Sequence, residues 1–442
     1  MKQRVFVTGA TGGMGFASLK EMLKDSDRQD IVILARNSEK NRNILKPYTE
    51  TPGLEIVWGD LNNYDDVLKC VKGCDLILHI AAFVSPAADY YAVSKVASER
   101  LVIESGLKYW VSLRQTGIIG RAMAEIEDAI MFHNCFDNVL EYCSDRDSAR
   151  AMKNLCAFFH DGTLDESFWG HIYNIGGGAP CRISTYEMYR IMYGAIGITN
   201  LDYMLSPKKE ATLNFHGQYY LDGDKLENYL HFRHDSMQYF YDCYLENLGA
   251  LCTVSKILCK LPGGQRIMGS ILRKRFDKLA RTEHGTLHFI EDNVEDHIDA
   301  YWGSRKRWEA LPDKLSEMQH FTDWDAVVPI NHGYDETKPE SELDIADLRQ
   351  AAEFRGGRLL STEMNKGDWS GKLEFQCAFG HKFTASLRLV LEGGHWCDEC
   401  ERRSWNYGNR AKVDPFFAQV WDPLHGPDEF REYPKEVSEK DV

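Results

Sequence analysis

Arg4-Val5-Phe6-Val7 is a short β-branched and aromatic run, the pattern of a strand buried on both faces of a parallel sheet. A glycine-rich stretch, residues 8–15, follows it. Apolar Phe16, Leu19, Met22 and Leu23 then fall on one helical stripe. The alternation repeats. Residues 30–36, 54–61 and 75–82 read as further strands, residues 64–74 as a helix, and Tyr91 opens an amphipathic helix through Val96, Leu101 and Val102. Strands alternating with helices predict an α/β fold with a doubly wound, Rossmann-type parallel sheet. Beyond residue 250 the pattern turns helix-rich and aromatic, with Trp302, Trp308, Phe321 and Trp324, and predicts a helical extension. The polar run 334–342 reads as a linker.

The 442 residues carry 52 Lys+Arg against 67 Asp+Glu, a formal net charge of −15. With 43% apolar residues the chain can build a core, which excludes a disordered protein. The acidic balance argues against nucleic acid or an anionic membrane as partner, because phosphate binding needs clustered Lys and Arg. One basic stretch stands out: Lys256, Lys260, Arg266, Arg273, Lys274, Arg275, Lys278 and Arg281. It is expected to be a solvated helix face. No apolar run is long enough to span a membrane, and the apolar start of the chain is too short for a signal peptide, so a cytoplasmic protein is expected. Most of the twelve cysteines are scattered singly and are expected to be reduced, buried thiols.

Thr8-Gly9-Ala10-Thr11-Gly12-Gly13-Met14-Gly15 sits between a readable strand and a readable helix, the context a nucleotide-binding glycine turn requires. The glycines allow a tight turn, close approach of backbone to a pyrophosphate, and close helix-strand packing. The helix N-terminus offers its free N–H groups to the phosphates. After the second strand, where an acid would bind ribose, stands Arg36. It favours a 2′-phosphate, hence NADP over NAD. Asp60, followed by Leu61, ends the third strand where an adenine amino group is within reach. The fourth strand ends in the small Ala81 and Ala82. Tyr91 and Lys95, at i and i+4, share a helix face, and a nearby ammonium makes a phenol a usable acid or base near neutral pH.

Taken in order, the glycine turn, Gly59-Asp60-Leu61, Tyr91-x-x-x-Lys95, residues 114–120, 142–149 and 172–178 resemble the extended short-chain dehydrogenase/reductase family, also called the NAD-dependent epimerase/dehydratase family. The resemblance covers about residues 1–250. It implies that Tyr91 is the catalytic acid/base and that Lys95 holds the nicotinamide ribose. It further implies that Thr8, Gly9, Thr11, Gly12, Gly13, Met14 and Gly15 hold the pyrophosphate, and that the Tyr91 helix serves a homodimer. The reaction implied is hydride transfer at a carbinol or carbonyl carbon of a small molecule. A nucleotide-sugar epimerase or dehydratase and a non-catalytic NAD(P)-binding protein are the alternatives.

One departure from the family is physical. Only Phe83 to Tyr90 separate the fourth strand from the Tyr91 motif. A crossover to another parallel strand needs at least about 10–12 residues plus the strand. The family's intervening strand, with the Ser or Thr that orients the substrate oxygen, does not fit. Ser85 lies in the interval but not on a strand. A sheet one strand short, with impaired chemistry, is expected.

Near the C-terminus, Cys377 and His381 form one knuckle, and Cys397 and Cys400 a second. Three thiolates and an imidazole at this spacing suit a closed, structural zinc site. With residues 355–363 ahead of it, the region resembles a small zinc-ribbon-like domain. His395 is a less well spaced substitute ligand. His133, where the resemblance implies a substrate pocket, is expected to be an ordinary or satisfied polar residue. The expected organisation is nucleotide-binding residues 1–125, substrate-side residues 126–250, helical extension and linker 251–345, zinc module 346–412 and tail 413–442.

Overall fold

The computed structural model describes residues 2–80, 88–125, 127–213, 217–403, 406–423 and 425. The first elements are β1 (Gln3–Thr8), α1 (Gly13–Met22), β2 (Gln29–Ala35), α2 (Glu39–Leu45), β3 (Leu54–Trp58), α3 (Tyr64–Val71), β4 (Leu76–His79) and α4 (Ala88–Ile103). Next come β5 (Val111–Gln115), β6 (Ile118–Ile119), α5 (Arg121–Glu125), β7 (Val139–Glu141), β8 (Cys143–Ser144), α6 (Asp145–Asp161), β9 (His171–Ile175), β10 (Arg182–Ser184) and α7 (Thr185–Ala195). Then come α8 (Asp224–Leu230), α9 (Met237–Leu248), α10 (Ala250–Lys260), α11 (Gly264–Ala280), α12 (Thr286–Glu291), α13 (Glu295–Trp302) and α14 (Arg305–Glu309). The C-terminal elements are α15 (Ile345–Phe354), β11 (Arg358–Leu359), β12 (Lys372–Gln376), β13 (Lys382–Ser386), α16 (Asp398–Glu401), α17 (Tyr407–Val413) and α18 (Pro415–Trp421).

The chain divides into two compact units. The first comprises residues 1–82, 113–166 and 173–321, the second residues 83–112, 167–172 and 322–442. This grouping differs from the five consecutive segments expected. The helical extension belongs with the Rossmann-type part, whereas α4 and residues 322–345 belong with the C-terminal module.

In the first unit, β3-β2-β1-β4 form a four-stranded parallel sheet, with Val5 opposite both Ile31 and Leu76. The central strands β1 and β2 are apolar and buried, with helices against both faces, while β3 and β4 alternate with exposed positions. On one face α1 packs on α6, and Gln3 Nε2 donates to the Cys156 carbonyl at 2.9 Å. On the other, Phe6, Val32 and Leu34 bury Cys70 of α3. Among the described residues no strand pairs outside β4, and Ile77 is half-exposed on that edge strand. The strand after α4, β5, pairs with β9 in a separate two-stranded sheet. The short spacing at residues 83–90 thus has its expected consequence, a sheet that stops at four strands. A second core, with Phe132, Phe136, Tyr189, Tyr193, Phe240 and Phe276, joins α7 and α9 to α11.

In the second unit, β11-β12-β13 form an antiparallel sheet. Phe375, Phe383 and Trp396 pack edge-on or stacked around it, with ring centroids 4.9–5.6 Å apart. Arg355 is fully buried, and its guanidinium donates to the carbonyls of His332, Ala351 and Val390. The run expected as a linker is pinned instead. Lys338 pairs with the buried Asp347 at 2.6 Å, and Tyr334 packs against the Leu343–Leu348 core, where burial pushes its phenol up to about 12.

Candidate nucleotide site and metal centre

The glycine turn has the geometry its sequence implies. Gly9 takes φ +72°, which L side chains rarely adopt. A Cβ on Gly15 would lie 2.1 Å from the Gly9 carbonyl oxygen, so only glycine lets α1 pack this closely on the end of β1. A Cβ on Gly13 would meet nothing within 4 Å, and one on Gly12 only the Gly9 carbonyl at 3.4 Å. The turn is therefore tight behind and open in front. Gly12 caps α1 with no side-chain hydrogen bond, and no acid lies in the first turn. Orphan N–H groups facing open space suit an anion, so the residues present fit a dinucleotide pyrophosphate.

Around the turn, Thr8 ends β1, and its Oγ1 lies 3.0 Å from His79 Nδ1 of β4. Ala10 is buried behind the turn; Thr11 is half-buried and Met14 partly exposed at its front. Arg36 is exposed just past β2, and Asn41 Nδ2 donates to its carbonyl. Asp60 closes an Asx turn on the Asn62 N–H at 2.9 Å, and its own N–H donates to Asp66. Leu61 beside it is 40% exposed. Ala81, Ala82 and Ser85 lie outside the described residues.

Tyr91 and Lys95 lie one turn apart on α4. The Tyr91 side chain is outside the described residues, while Lys95 is at an exposed position. The glycine turn belongs to the first unit and α4 to the second. Within its unit, α4 is tied to the C-terminal module. Glu99 Oε2 meets His395 Nε2 at 2.7 Å, and Arg100 donates to the Trp396 carbonyl at 2.5 Å and to Glu401 at 3.0 Å. Glu104 accepts from both the N–H and the hydroxyl of Ser386.

That module carries the metal candidate. Cys377, His381, Cys397 and Cys400 present four donor atoms within 4.8 Å of one another. His381 Nδ1 lies 3.4–3.5 Å from each sulfur, and the Cys377 and Cys400 sulfurs are 3.8 Å apart. A tetrahedron with metal–sulfur bonds of about 2.3 Å has edges of roughly 3.8 Å, so one zinc ion fits the centre. Hydrogen bonds from Cys397 and Cys400 hold the Cys377 thiol far below the usual range, while the other two are pushed up. Gly380, at φ +84°, makes the knuckle turn, and its N–H donates to the Cys377 carbonyl. His395 is outside this cluster, and its Nε2 lies 2.7 Å from Glu99 Oε2. All twelve cysteines are free thiols.

Sequence reasoning assigned no contacts to two buried acids. Asp147 Oδ2 accepts from the N–H groups of His234 and Asp235, and Ser144 caps α6 through the Asp147 N–H. Residues 142–149 therefore act as a clamp on the chain at 232–236. Glu141, fully buried, accepts from the Gly178 N–H and Arg182, and a Cβ on Gly176 would lie 2.1 Å from its carboxylate. A lone acid after the apolar pair Val139-Leu140 was the available signal. A polar cleft of about 510 Å³ opens beside the clamp, lined by Arg121, Arg146, His234, Asp235 and Tyr239 among others. Arg146 is already engaged there by Asp235 and the face of Tyr239. His133 is satisfied, its Nε2 on the His284 carbonyl and its Nδ1 on the Tyr301 hydroxyl.

Residues 9–98 match the NAD(P)H-binding family model. A UDP-glucose 4-epimerase of Rickettsia bellii (strain RML369-C) is 29% identical over 108 residues, 24% of this chain and 31% of the epimerase. A second, from strain OSU 85-389, is 28% identical over the same length. The match thus spans about a third of these curated relatives. Among solved structures, the yeast methylglyoxal/isovaleraldehyde reductase complexed with NADPH aligns at 16% identity, over 57% of this chain and 99% of the reductase, with a TM-score of 0.37. A UDP-glucose-4-epimerase of Stenotrophomonas maltophila with bound NAD aligns at 13% identity, over 57% and 99%, with a TM-score of 0.41. An NAD(P)-binding part of Rossmann type is what the fold and the family match share.

Proposed function

We propose that this chain is an NAD(P)-dependent oxidoreductase of extended short-chain type, acting on a carbinol or carbonyl carbon of a small molecule. The observation that carries the reading is the glycine turn, tight at Gly9 and Gly15 and open at Gly13. Residues 8–15 would hold the pyrophosphate, Asp60 and Leu61 the adenine end, and Ala81 and Ala82 the neighbouring wall. Arg36, exposed just past β2, would meet a 2′-phosphate, which favours NADP. The bound nicotinamide supplies or accepts the hydride. Of the chain's own groups, the Tyr91 hydroxyl moves the proton, and Lys95 holds the ribose and lowers the phenol's pKa. The C-terminal Cys₃His cluster holds a structural zinc, a closed site with no position left for substrate.

The epimerase relatives support a second reading, a nucleotide-sugar epimerase or dehydratase that regenerates its cofactor. The four-stranded sheet supports a third, nucleotide binding with weak or absent turnover. Substrate positioning supplies much of an enzyme's rate, and removing one oxyanion donor costs about 10²–10³. The deciding experiment is titration with NADPH and NADH, then a screen of alcohols, ketones and nucleotide sugars. Tightly retained NAD favours the epimerase, and dependence on added NADPH favours the reductase. Arg36→Ala should weaken NADPH at least tenfold and leave NADH nearly unchanged; equal loss for both removes the NADP preference. Insertion of a relative's helix-strand segment between Ala88 and Tyr91 should raise turnover, and Tyr91→Phe in that protein should abolish it. Equal turnover without the insert would overturn the account of the gap.

A further inference from the structure

Helix α10 is built inside out. Its inward face is small: Cys252, Ser255 and Cys259 are buried. Ser255 Oγ donates to the Ile196 carbonyl at 2.8 Å, and a Cβ on Gly197 would lie 2.8 Å from the Cys259 Cβ. These contacts fix the helix's rotation, and the rotation turns its large aliphatic residues to solvent. Leu251, Val254, Ile257, Leu258 and Leu261 are 40–69% exposed. A short turn at Leu261-Pro262-Gly263, with Gly263 at φ +76°, leads into α11, which packs on α10. There Ile267 and Ile271 are also exposed, at 63% and 56%. On its inward side α11 is anchored by Phe276 and Ala280 in the core and by Gly269, whose added Cβ would meet Tyr203 at 2.4 Å. Scattered exposed apolar residues are ordinary. Seven aliphatic side chains turned outward on one hairpin, five of them along or just past a helix whose own buried face is Cys252, Ser255 and Cys259, are not.

Charge says what covers them. Residues 250–281 hold eight Lys and Arg against one Asp, in a chain of net charge −15. Lys256 and Lys260 lie on α10 beside the aliphatic arc. Lys274 and Lys278 continue the stripe of Ile267 and Ile271 along α11. All four are exposed, with no ion-pair partner among the described residues. An aliphatic face bordered by unpaired lysines is the pattern of an interfacial helix on anionic lipid. A second copy of the same face would set lysine against lysine.

We propose that the α10–α11 hairpin is a membrane-surface docking element. It lies flat on an anionic bilayer, with its aliphatic side chains below the headgroups and its lysines against lipid phosphates. The whole-chain charge argued against a membrane, and the hairpin is the local exception. No spanning segment is involved, since no helix among the described residues is long and apolar enough to cross a bilayer.

The test is flotation of the full-length protein with vesicles of phosphatidylcholine alone and of phosphatidylcholine with about 30–40% phosphatidylglycerol, which supplies the negative surface potential that lysines meet. The protein should float with the anionic vesicles at low salt and at least tenfold less at 0.5 M salt, about the range over which screening becomes short. Ile257→Glu and Ile267→Glu, at exposed positions, and separately Lys256→Gln with Lys260→Gln, should each reduce binding at least tenfold with unchanged melting temperature. Three outcomes would overturn the proposal. One is no flotation with anionic vesicles. Another is flotation that these variants leave unchanged. The last is sedimentation as a dimer that Ile257→Glu dissociates, which would give the face to a second copy of the chain.

Discussion

His395 Nε2 lies 2.7 Å from Glu99 Oε2, the histidine buried and the glutamate largely so, so that the Tyr91–Lys95 helix is fastened to the loop that enters the Cys397–Cys400 knuckle. Arg100 and Glu401 complete the network: Arg100 donates to Glu401 and to the Trp396 carbonyl, and the Trp396 N–H donates to Glu401. Burial alone would lower the His395 pKa, but Glu401 and Glu99 outweigh it and raise it.

Removing one partner of a buried ion pair leaves the other uncompensated, at a cost of about 3 kcal/mol. Glu99→Ala and His395→Ala should each destabilise by roughly that amount, and the double variant by clearly less than their sum. Urea unfolding followed by tryptophan fluorescence measures it. Additive effects would mean that the two side chains do not interact.

Metal removal should reach the same helix. Freshly purified, reduced protein should carry about one zinc per chain. Cys397→Ser should lose it, and hydrogen exchange should quicken in residues 372–403 and also in residues 93–103. Small metal modules fold through their metal, and the Glu99 and Arg100 contacts connect that folding to α4. Metal analysis finding no zinc would reject the centre. Fast exchange confined to the knuckles would reject the connection.

The acid side of the stability profile has a named contributor. Burial lowers the His133 pKa, partly opposed by its bond to the His284 carbonyl. Its Nε2–H donates to the His284 carbonyl, and its Nδ1 lies 3.1 Å from the Tyr301 hydroxyl. Because the folded value lies below the unfolded one, about 6.5, the unfolded chain binds the proton first. The contribution is complete above about pH 6.5 and is lost as the pH falls below it. The melting temperature should therefore drop between pH 7.5 and 5.5, and His133→Gln should flatten that drop. An unchanged slope would contradict the assignment.

The first four strands and the glycine turn were legible because parallel strands and amphipathic helices write their period locally, and because Gly9 and Gly15 answer to contacts a few residues away. The Cys377, His381, Cys397 and Cys400 cluster was legible for the same reason, two knuckles of short spacing. The setting of α4 was not. Its partners Trp396, His395 and Glu401 lie some 300 residues on, and nothing in Ala88–Ile103 marks which side meets them. The Asp147 clamp was visible as a motif, but its hydrogen bonds to residues 234 and 235 were not. In α10, period alone allowed the aliphatic face to turn inward, the ordinary choice. Packing of Ser255 and Cys259 against residues 196 and 197 decided otherwise.

The central claim is that the turn after β1 holds a dinucleotide, and calorimetric titration of NADPH into the wild-type chain and Gly13→Val tests it most directly. A Cβ at Gly13 meets no protein atom, so the variant should fold and melt as the wild type does, while its side chain occupies the space in front of the helix N-terminus. The account predicts saturable one-to-one binding to the wild type and at least tenfold weaker binding to the variant, a loss of about 1.4 kcal/mol or more. Equal affinity in the two proteins, or no binding by a folded wild type, would contradict it.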